Sequence, residues 1–163
     1  MGRRVGKKRS DRRWIADDGT EWDSKFEWSV YDRLSAGGGS VRKCDESDSF
    51  SYTKPIRGAA CLGCGSGEVV QRRTYTPDLY YVPAPDTSPG VGYYIEVKGY
   101  FPGTKRALFR NFLKCHPDVS IRIVLERNSR APGTKSTYGD YIDKFFKIPW
   151  VVRLDGLAAW ERS

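Results

Sequence analysis

Hydrophobic positions at helical intervals predict the first folded element of the chain. Phe26, Val30 and Leu34 recur at every fourth position between a capping residue, Asp23 or Ser24, and three consecutive glycines. The pattern therefore predicts a helix that begins next to the capping residue and ends at the glycines.

Three later segments have the aromatic and β-branched content that is typical of strands: 68–76, 79–82 and 92–97. The loop between the last two is rich in proline and aspartate, so these strands are predicted to form a hairpin with a long tip. The segment 41–68 has neither a helix nor a strand period. We interpret it as an irregular insertion that contains cysteines.

The second half of the chain alternates helices and strands. A helix is predicted over 104–115, a strand over 120–125, a helix from Ser136 or Thr137, and a final strand over 148–154. In the 104–115 helix, one face is expected to pack and the opposite face to be cationic. The inward residues are predicted to be Ala107, Leu108, Phe112 and Cys115, and the outward ones Arg106, Arg110 and Lys114. The order of elements indicates an α/β domain with a central mixed sheet flanked by helices.

Length and charge narrow the class of protein. The chain has 163 residues, which suits a single compact domain. A net charge of +8 and a pI near 9.4 favour a polyanionic partner, nucleic acid first, over a basic surface that only aids solubility. Residues 1–20 are predicted to be a flexible basic arm, and 21–163 to be the folded domain. The arm carries Arg3, Arg4, Lys7, Lys8, Arg12 and Arg13.

The sequence also limits location and catalytic chemistry. No apolar run is long enough to cross a membrane, so we expect a cytoplasmic protein without a membrane partner. In that reducing setting, the four cysteines are expected to pack or to bind metal.

His116 is the only histidine, which excludes a Ser-His-Asp or Cys-His set within one chain. We expect His116 to cap its helix instead.

Two acidic side chains and one lysine are the strongest candidates for chemistry. Asp78 follows Thr76-Pro77 at one predicted strand, and Glu96 and Lys98 lie two positions apart on the next. Because side chains alternate across a strand, Glu96 and Lys98 point to one face, and a hairpin can bring Asp78 beside them. Buried carboxylates need a neutralising partner, and their hard oxygen atoms suit Mg²⁺ or Mn²⁺. Such an ion can activate water and stabilise charge in phosphodiester hydrolysis.

A simpler interpretation of the same residues is structural. An exposed strand often carries Glu-x-Lys for cross-strand pairing, and Pro-Asp commonly starts a turn. The flanking Tyr94, Ile95 and Val97 before Gly99 instead favour a strand whose end opens into a loop. Glu27 adds a further carboxylate, because it borders the buried face of the first helix. On balance, these features favour a catalytic site.

The longer motifs resemble a known family. In chain order they are Thr76-Pro77-Asp78, Glu96-Val97-Lys98-Gly99, Cys115-His116-Pro117-Asp118, Ile121-Arg122-Ile123-Val124-Leu125 and Ser136-Thr137-Tyr138-Gly139-Asp140-Tyr141. With gaps, the chain from about Asp23 to its end resembles the phage endonuclease I family of Holliday-junction resolvases, within the PD-(D/E)xK nuclease superfamily. The resemblance implies a restriction-endonuclease-like α/β fold and metal-dependent cleavage of four-way and branched DNA.

The resemblance also implies roles for individual residues. The family's two metal-binding acidic positions match Asp78 and Glu96, its lysine matches Lys98, and its first-helix glutamate matches Glu27. Members are homodimers intertwined by segment exchange, whose active sites combine residues of both chains, so Glu27 could serve the partner's site. From their charge, the expected phosphate contacts are Arg106, Arg110, Lys114, Lys7, Lys8, Arg12 and Arg13.

The chain departs from that family before Asp78, where it is longer and contains Cys44 and Cys61-x-x-Cys64. The Cys-x-x-Cys turn resembles half of a zinc knuckle, Cys44 could supply a third ligand, and two subunits could complete a structural Zn²⁺ site. The alternative is a glycine-rich turn with unliganded thiols. Cys115 is expected in the core.

Two other functions stay open at this stage. The first is a restriction-like or repair nuclease that acts on linear duplex DNA. The second is a non-catalytic, zinc-bearing nucleic-acid-binding protein in which Glu96 and Lys98 are structural. The favoured interpretation is a Mg²⁺-dependent endodeoxyribonuclease, a homodimer that makes paired cuts in branched DNA.

Overall fold

The computed structural model describes residues 13–60, 68–85 and 91–160, and no helix within these ranges is long and apolar enough to cross a membrane. The helices are α1 (Lys25–Ala36), α2 (Gly103–Cys115) and α3 (Tyr138–Phe145). The strands are β1 (Trp14–Ile15), β2 (Glu21–Trp22), β3 (Ser40–Lys43), β4 (Phe50–Ala60), β5 (Glu68–Tyr75), β6 (Leu79–Val82), β7 (Tyr93–Lys98), β8 (Ile121–Leu125) and β9 (Trp150–Val152). Short 3₁₀ helices cover Glu46–Asp48 and Asp155–Ala159.

Five of these strands form a mixed central sheet in the order β3-β6-β7-β8-β9. Strand β6 runs antiparallel to both β3 and β7, whereas β7, β8 and β9 run parallel to one another. The β6–β7 pairing, with Leu79 opposite Ile95, confirms the predicted hairpin. A parallel neighbour requires a crossover, and α2 provides it between β7 and β8. The predicted α/β architecture with a mixed sheet is thus confirmed.

The two faces of the sheet are packed by different helices. On one face, Ile95 and Val97 of β7 join the apolar cluster that contains the buried side of α1. On the opposite face, Ile121 and Ile123 of β8 join the cluster formed with α2 and α3. Because side chains alternate along β7, Glu96 lies on the second face, toward α2.

Helix α1 begins and ends as its sequence predicts. Ser24 is the N-cap, and its hydroxyl accepts a hydrogen bond of 3.1 Å from the backbone N–H of Glu27. Gly37 is the C-cap, and the buried residues are Glu27, Val30 and Leu34. The helical period therefore places the carboxylate of Glu27 on the packed side, in the first turn.

The prediction that 41–68 is irregular is wrong for most of the part that the structure describes. Strand β3 belongs to the central sheet, and β4 pairs with β5 in a separate antiparallel sheet, which we call the ribbon. At the root of the ribbon, Phe50 and Tyr52 pack against α2. Farther out, Ile56 and Val70 are exposed. Among the β4 side chains that the structure describes, only Tyr52 is buried, so burial imposes a pattern on little of this strand.

The basic arm predicted over 1–20 ends earlier than expected. Strands β1 and β2 pair with Trp14 opposite Trp22, and Trp22 is buried in the α1-side cluster. The two tryptophans thus attach residues 14–22 to the folded domain, although the charge of the segment 1–20 predicts that it does not pack. Residues 1–12 lie outside the described residues.

Helix α2 has the predicted bounds to within one residue, but its buried face differs. Arg106, Phe109 and Phe112 are buried, and Cys115 is exposed. The predictions that Arg106 faces outward and that Cys115 packs in the core are therefore wrong. Ala107 and Leu108, expected to face inward, are only partly buried.

Arg106 is buried because its guanidinium finds partners inside the protein. It donates hydrogen bonds to the backbone oxygens of Phe101, at 2.5 Å, and Pro132, at 2.7 Å. Its guanidinium carbon lies 4.8 Å from the centre of the Tyr141 ring. A charged group can be buried when it is paired in this way. The charge of Arg106 in the sequence therefore did not indicate that its side chain is buried.

Candidate active site

Asp78 lies between the ribbon and the central sheet, immediately before β6. Its Oδ2 accepts a hydrogen bond of 2.6 Å from the backbone N–H of Val97 and lies 3.4 Å from Nζ of Lys98. The backbone contact fixes the carboxylate to β7. Among the described residues, none donates a hydrogen bond to Oδ1, so that oxygen is available to a ligand.

Glu96 projects from β7 on the α2 side and is only 3% exposed. Its Oε1 forms an ion pair with Nζ of Lys98, and its Oε2 accepts a hydrogen bond from the hydroxyl of Tyr75. Lys98 therefore contacts both Glu96 and Asp78. The structure brings together the two carboxylates and the lysine that the sequence singled out.

Burial and charge determine how this group titrates. Burial and the nearby Asp78 raise the pKa of Glu96 to about 7. For Lys98, burial acts to lower the pKa, but contact with Glu96 and Asp78 outweighs it, and the pKa is raised above its usual value. The lysine is therefore charged at neutral pH, while the mutual repulsion of the carboxylates is only partly relieved.

Glu27 supplies a third carboxylate near the pair. Burial and the charge of Asp78 raise the pKa of Glu27 to about 7. Its Oε1 lies 3.9 Å from Nζ of Lys43, a residue of β3 that was not among the predicted site residues. The charge of Asp78 thus influences Glu27 of the same chain, although Glu27 is not among the residues that line the cleft beside Asp78.

A cleft of about 500 Å³ opens beside these groups. It lies between the ribbon root and the first turns of α2, and it is lined by both polar and aromatic side chains. The lining residues include Asp78, Glu96, Lys98, Thr76, Tyr52, Tyr75, Tyr100, Lys105 and Phe109. Tyr100 is 63% exposed and Lys105 is exposed, so the cleft opens to solvent; within it, the side chain of Asp78 is 19% exposed and Glu96 is buried.

The carboxylate oxygens of Asp78 and Glu96 are the candidate ligands for a hard cation. In the ranges that the structure describes, no three His, Cys, Asp or Glu side chains form a ready metal cluster. Asp78 and Glu96 alone supply oxygen ligands from two carboxylates that already repel each other. Mg²⁺ typically keeps several waters and needs only one or two protein carboxylates. The two residues therefore fit Mg²⁺ or Mn²⁺ with water as the remaining ligands.

Tyr75 is a site residue that the sequence interpretation missed. It ends β5, and its ring lies 4.2 Å from that of Phe112 and 5.4 Å from that of Phe109, centre to centre. Burial and the charge of Glu96 raise its pKa above the usual value, so the hydroxyl keeps its proton and donates. The available signal was its place three residues before Asp78, but an aromatic residue in a strand is usually only a packing residue.

The predicted phosphate contacts that the structure describes differ in their exposure. Arg106 is buried, Arg110 is partly buried, and Lys114 is exposed. Arg13 forms an ion pair of 2.7 Å with Glu21. The remaining predicted contacts, Lys7, Lys8 and Arg12, lie outside the described residues. At the cleft itself, α2 contributes Lys105, which was not among the predicted phosphate contacts.

The described cysteines do not by themselves form a zinc site. Cys44 is buried, and burial together with Asp48 raises the pKa of its thiol to about 12. Cys61 and Cys64 lie outside the described residues, and the zinc site stays a prediction.

His116 has a packing role in the part of the chain that the structure describes. It is the C-cap residue of α2, but its side chain contacts the ribbon: Nε2 lies 2.8 Å from the backbone oxygen of Ser51. Its ring also packs against Phe50 and Phe112. The expected interaction of the imidazole with the helix end is thus replaced by a link between α2 and β4.

Comparison with protein-family models and with curated proteins finds no match for this chain. The resemblance to the endonuclease I family therefore stays a prediction. The case for a function depends on the site geometry and the charge of the chain.

Proposed function

We propose that this protein is a Mg²⁺-dependent, structure-selective DNA endonuclease with a restriction-endonuclease-like fold. The observation that carries the proposal is the convergence of Asp78, Glu96 and Lys98 at a cleft that is open to solvent. A net charge of +8 supports a nucleic-acid substrate. The proposed reaction is hydrolysis of phosphodiester bonds in four-way and branched DNA.

The chain's own residues have distinct proposed roles. Asp78 and Glu96 would hold Mg²⁺ or Mn²⁺ through one oxygen each. The bound ion supplies a more acidic water and an electrophile for phosphate oxygens. Lys98, which stays charged, would orient the attacking water and offset the negative charge that develops at phosphorus.

Glu27 has a proton-handling role in this proposal. Because the pKa of Glu27 is about 7, its carboxyl group is partly ionised at neutral pH. A carboxyl group in this state can both accept and release a proton. It would assist the attacking water from the α1 side of the site. In the hydrolysis, the water oxygen would bond to phosphorus while the bond from phosphorus to the leaving oxygen breaks; Glu27 would take the proton of the water, and the leaving oxygen would take a proton from solvent.

Selectivity for junctions is proposed to depend on a homodimer. Two sites held in fixed relation by a two-fold axis can cut two strands of one branched substrate, whereas independent sites would leave single nicks. Lys105 and Lys114, both exposed on α2, would contact phosphates, and such contacts carry no sequence information. Binding is therefore expected to depend on salt and on DNA shape.

The test is cleavage of an immobile four-way junction compared with its separate duplex arms, with and without Mg²⁺. We expect paired cuts in the junction only when Mg²⁺ is present. Equal rates on the junction and on the duplex arms would favour the second candidate, a restriction-like or repair nuclease.

A third candidate is a non-catalytic, zinc-bearing nucleic-acid-binding protein. Glu96→Ala and Lys98→Ala separate it from the proposal, because we expect both variants to bind junctions and neither to cut them. Absence of metal-dependent cutting by the parent protein, together with about one zinc per two chains or more, would support the binding protein instead.

A further inference from the structure

The candidate metal-binding carboxylate is contacted from a second sheet. Tyr75 is the last residue of β5, in the ribbon, whereas Glu96 lies on β7 of the central sheet. The Tyr75 hydroxyl donates to Oε2 of Glu96, while Lys98 contacts Oε1. The two oxygens of one carboxylate are therefore held from two directions by two parts of the fold.

The hydroxyl is held in place by packing on both sides of its strand. The Tyr75 ring contacts Phe109 and Phe112 of α2, and its backbone pairs with Phe50 of β4. One residue farther on, the hydroxyl of Thr76 lies 2.6 Å from that of Ser49, which joins the two strands at the ribbon root. The position of the Tyr75 hydroxyl is thus set by the fold.

A carboxylate at the end of a glutamate side chain rotates easily, because the last torsion of this side chain has a broad energy profile. A metal ligand that can rotate loses affinity when it must be ordered on binding. For metal sites in general, removing a group that orients a ligand lowers metal affinity by about ten- to a hundredfold. Tyr75 has the contact and the rigidity that such an orienting group needs.

We infer that Tyr75 is a positioning residue of the proposed metal site: its hydroxyl fixes Oε2 of Glu96, so that the carboxylate presents its other oxygen beside Asp78. This inference rests on the proposed function, since it requires that Asp78 and Glu96 bind a cation. It also assigns a role in the site to the ribbon, of which the sequence interpretation had placed strand β4 in an irregular insertion.

The experiment compares Mn²⁺ binding by the parent protein, Tyr75→Phe and Tyr52→Phe, with free Mn²⁺ measured by electron paramagnetic resonance. Tyr52 is a matched control because it lies on the same ribbon root, lines the same cleft and packs on Phe112. Its hydroxyl makes no hydrogen bond with any described residue. Both variants keep the aromatic ring, and near-UV circular dichroism is used to choose a temperature at which all three proteins are equally folded.

We expect the Mn²⁺ dissociation constant to rise roughly tenfold in Tyr75→Phe and to stay unchanged in Tyr52→Phe. Unchanged Mn²⁺ binding by Tyr75→Phe would overturn the inference, and so would an equal loss in both variants, which would indicate general loosening of the ribbon root. If the parent binds Mn²⁺ and cuts junctions while Tyr75→Phe binds normally, only this inference fails. If the parent neither binds Mn²⁺ nor cuts junctions, the proposed function fails with it.

Discussion

The two faces of β7 have opposite chemistry although they belong to the same six residues. Toward α1, Ile95 and Val97 are buried in an apolar cluster. Toward α2, Glu96 and Lys98 are held among charged and polar partners beside an open cleft. Alternation along one strand thus separates the residues that stabilise the fold from those that form the candidate site. Substitutions on the two faces are therefore expected to affect different properties.

The largest expected effect is on the α2 side. Glu96→Gln removes the charge of the candidate ligand but keeps its size, and we expect Mg²⁺-dependent junction cleavage to fall by at least about a thousandfold, or ~4 kcal/mol. The free energy of unfolding should stay equal or rise, because a carboxylate that is repelled by Asp78 is neutralised. Single-turnover cleavage and urea unfolding measure the two quantities. A variant that retains cleavage would contradict the assignment of this face to catalysis.

The matched change on the α1 side is Ile95→Ala. Ile95 is fully buried, so the cavity that it leaves should lower the free energy of unfolding by about 3 kcal/mol. At a temperature where the variant is folded, junction binding should be unchanged, because no atom of the site is removed. Urea unfolding measures the loss, and a loss below about 1 kcal/mol would show that this face is less well packed than the structure indicates.

The next effect concerns pH. Burial and Asp78 raise the pKa of Glu27 and of Glu96 to about 7 in the folded protein, from an ordinary value of 4.5. The folded state therefore retains protons that the unfolded chain releases between these pH values, and the free energy of unfolding must fall as pH rises through that window. We expect a decrease of several kcal/mol in metal-free protein.

Urea unfolding at a series of pH values from 4.5 to 8 measures this dependence. Glu27→Gln should reduce the slope, because one of the two carboxylates no longer titrates. Mg²⁺ should reduce it further if Glu96 binds the ion, since a ligated carboxylate is ionised in the folded state. A stability that is flat or that rises over this range would contradict the burial of the two carboxylates.

The smallest effect concerns DNA affinity. Lys105→Ala removes an exposed charge at the cleft and should weaken junction binding about two- to fivefold, with the logarithmic salt slope reduced by about 0.9. Lys144→Ala is the matched control, because it makes the same charge change at an exposed position of α3 that does not line the cleft. Fluorescence anisotropy at several salt concentrations measures both. Equal losses would indicate a general charge effect.

Periodicity predicted α1, β6 and β7 because each buries one face against the sheet or a helix, and that burial imposes a pattern on the sequence. That Asp78, Glu96 and Lys98 lie close together was predicted from the alternation of side chains along a strand and from the hairpin. In the ribbon, strand β5 was predicted but strand β4 was not, since Ile56 and Val70 in the outer ribbon are exposed and burial imposes no period there. Tyr75 was missed for a related reason, because its partner lies on another sheet and no local spacing encodes that contact.

The buried Arg106 holds one wall of the cleft in a way that does not depend on the charge of the candidate site. Its guanidinium holds the backbone of Phe101, which lines the cleft, to that of Pro132. A guanidinium does not lose its proton at any pH at which a protein survives. One wall of the cavity is thus held by a buried cation, while Glu27 and Glu96 change charge near neutral pH, so acid can alter the charge of the candidate site and leave this wall in place.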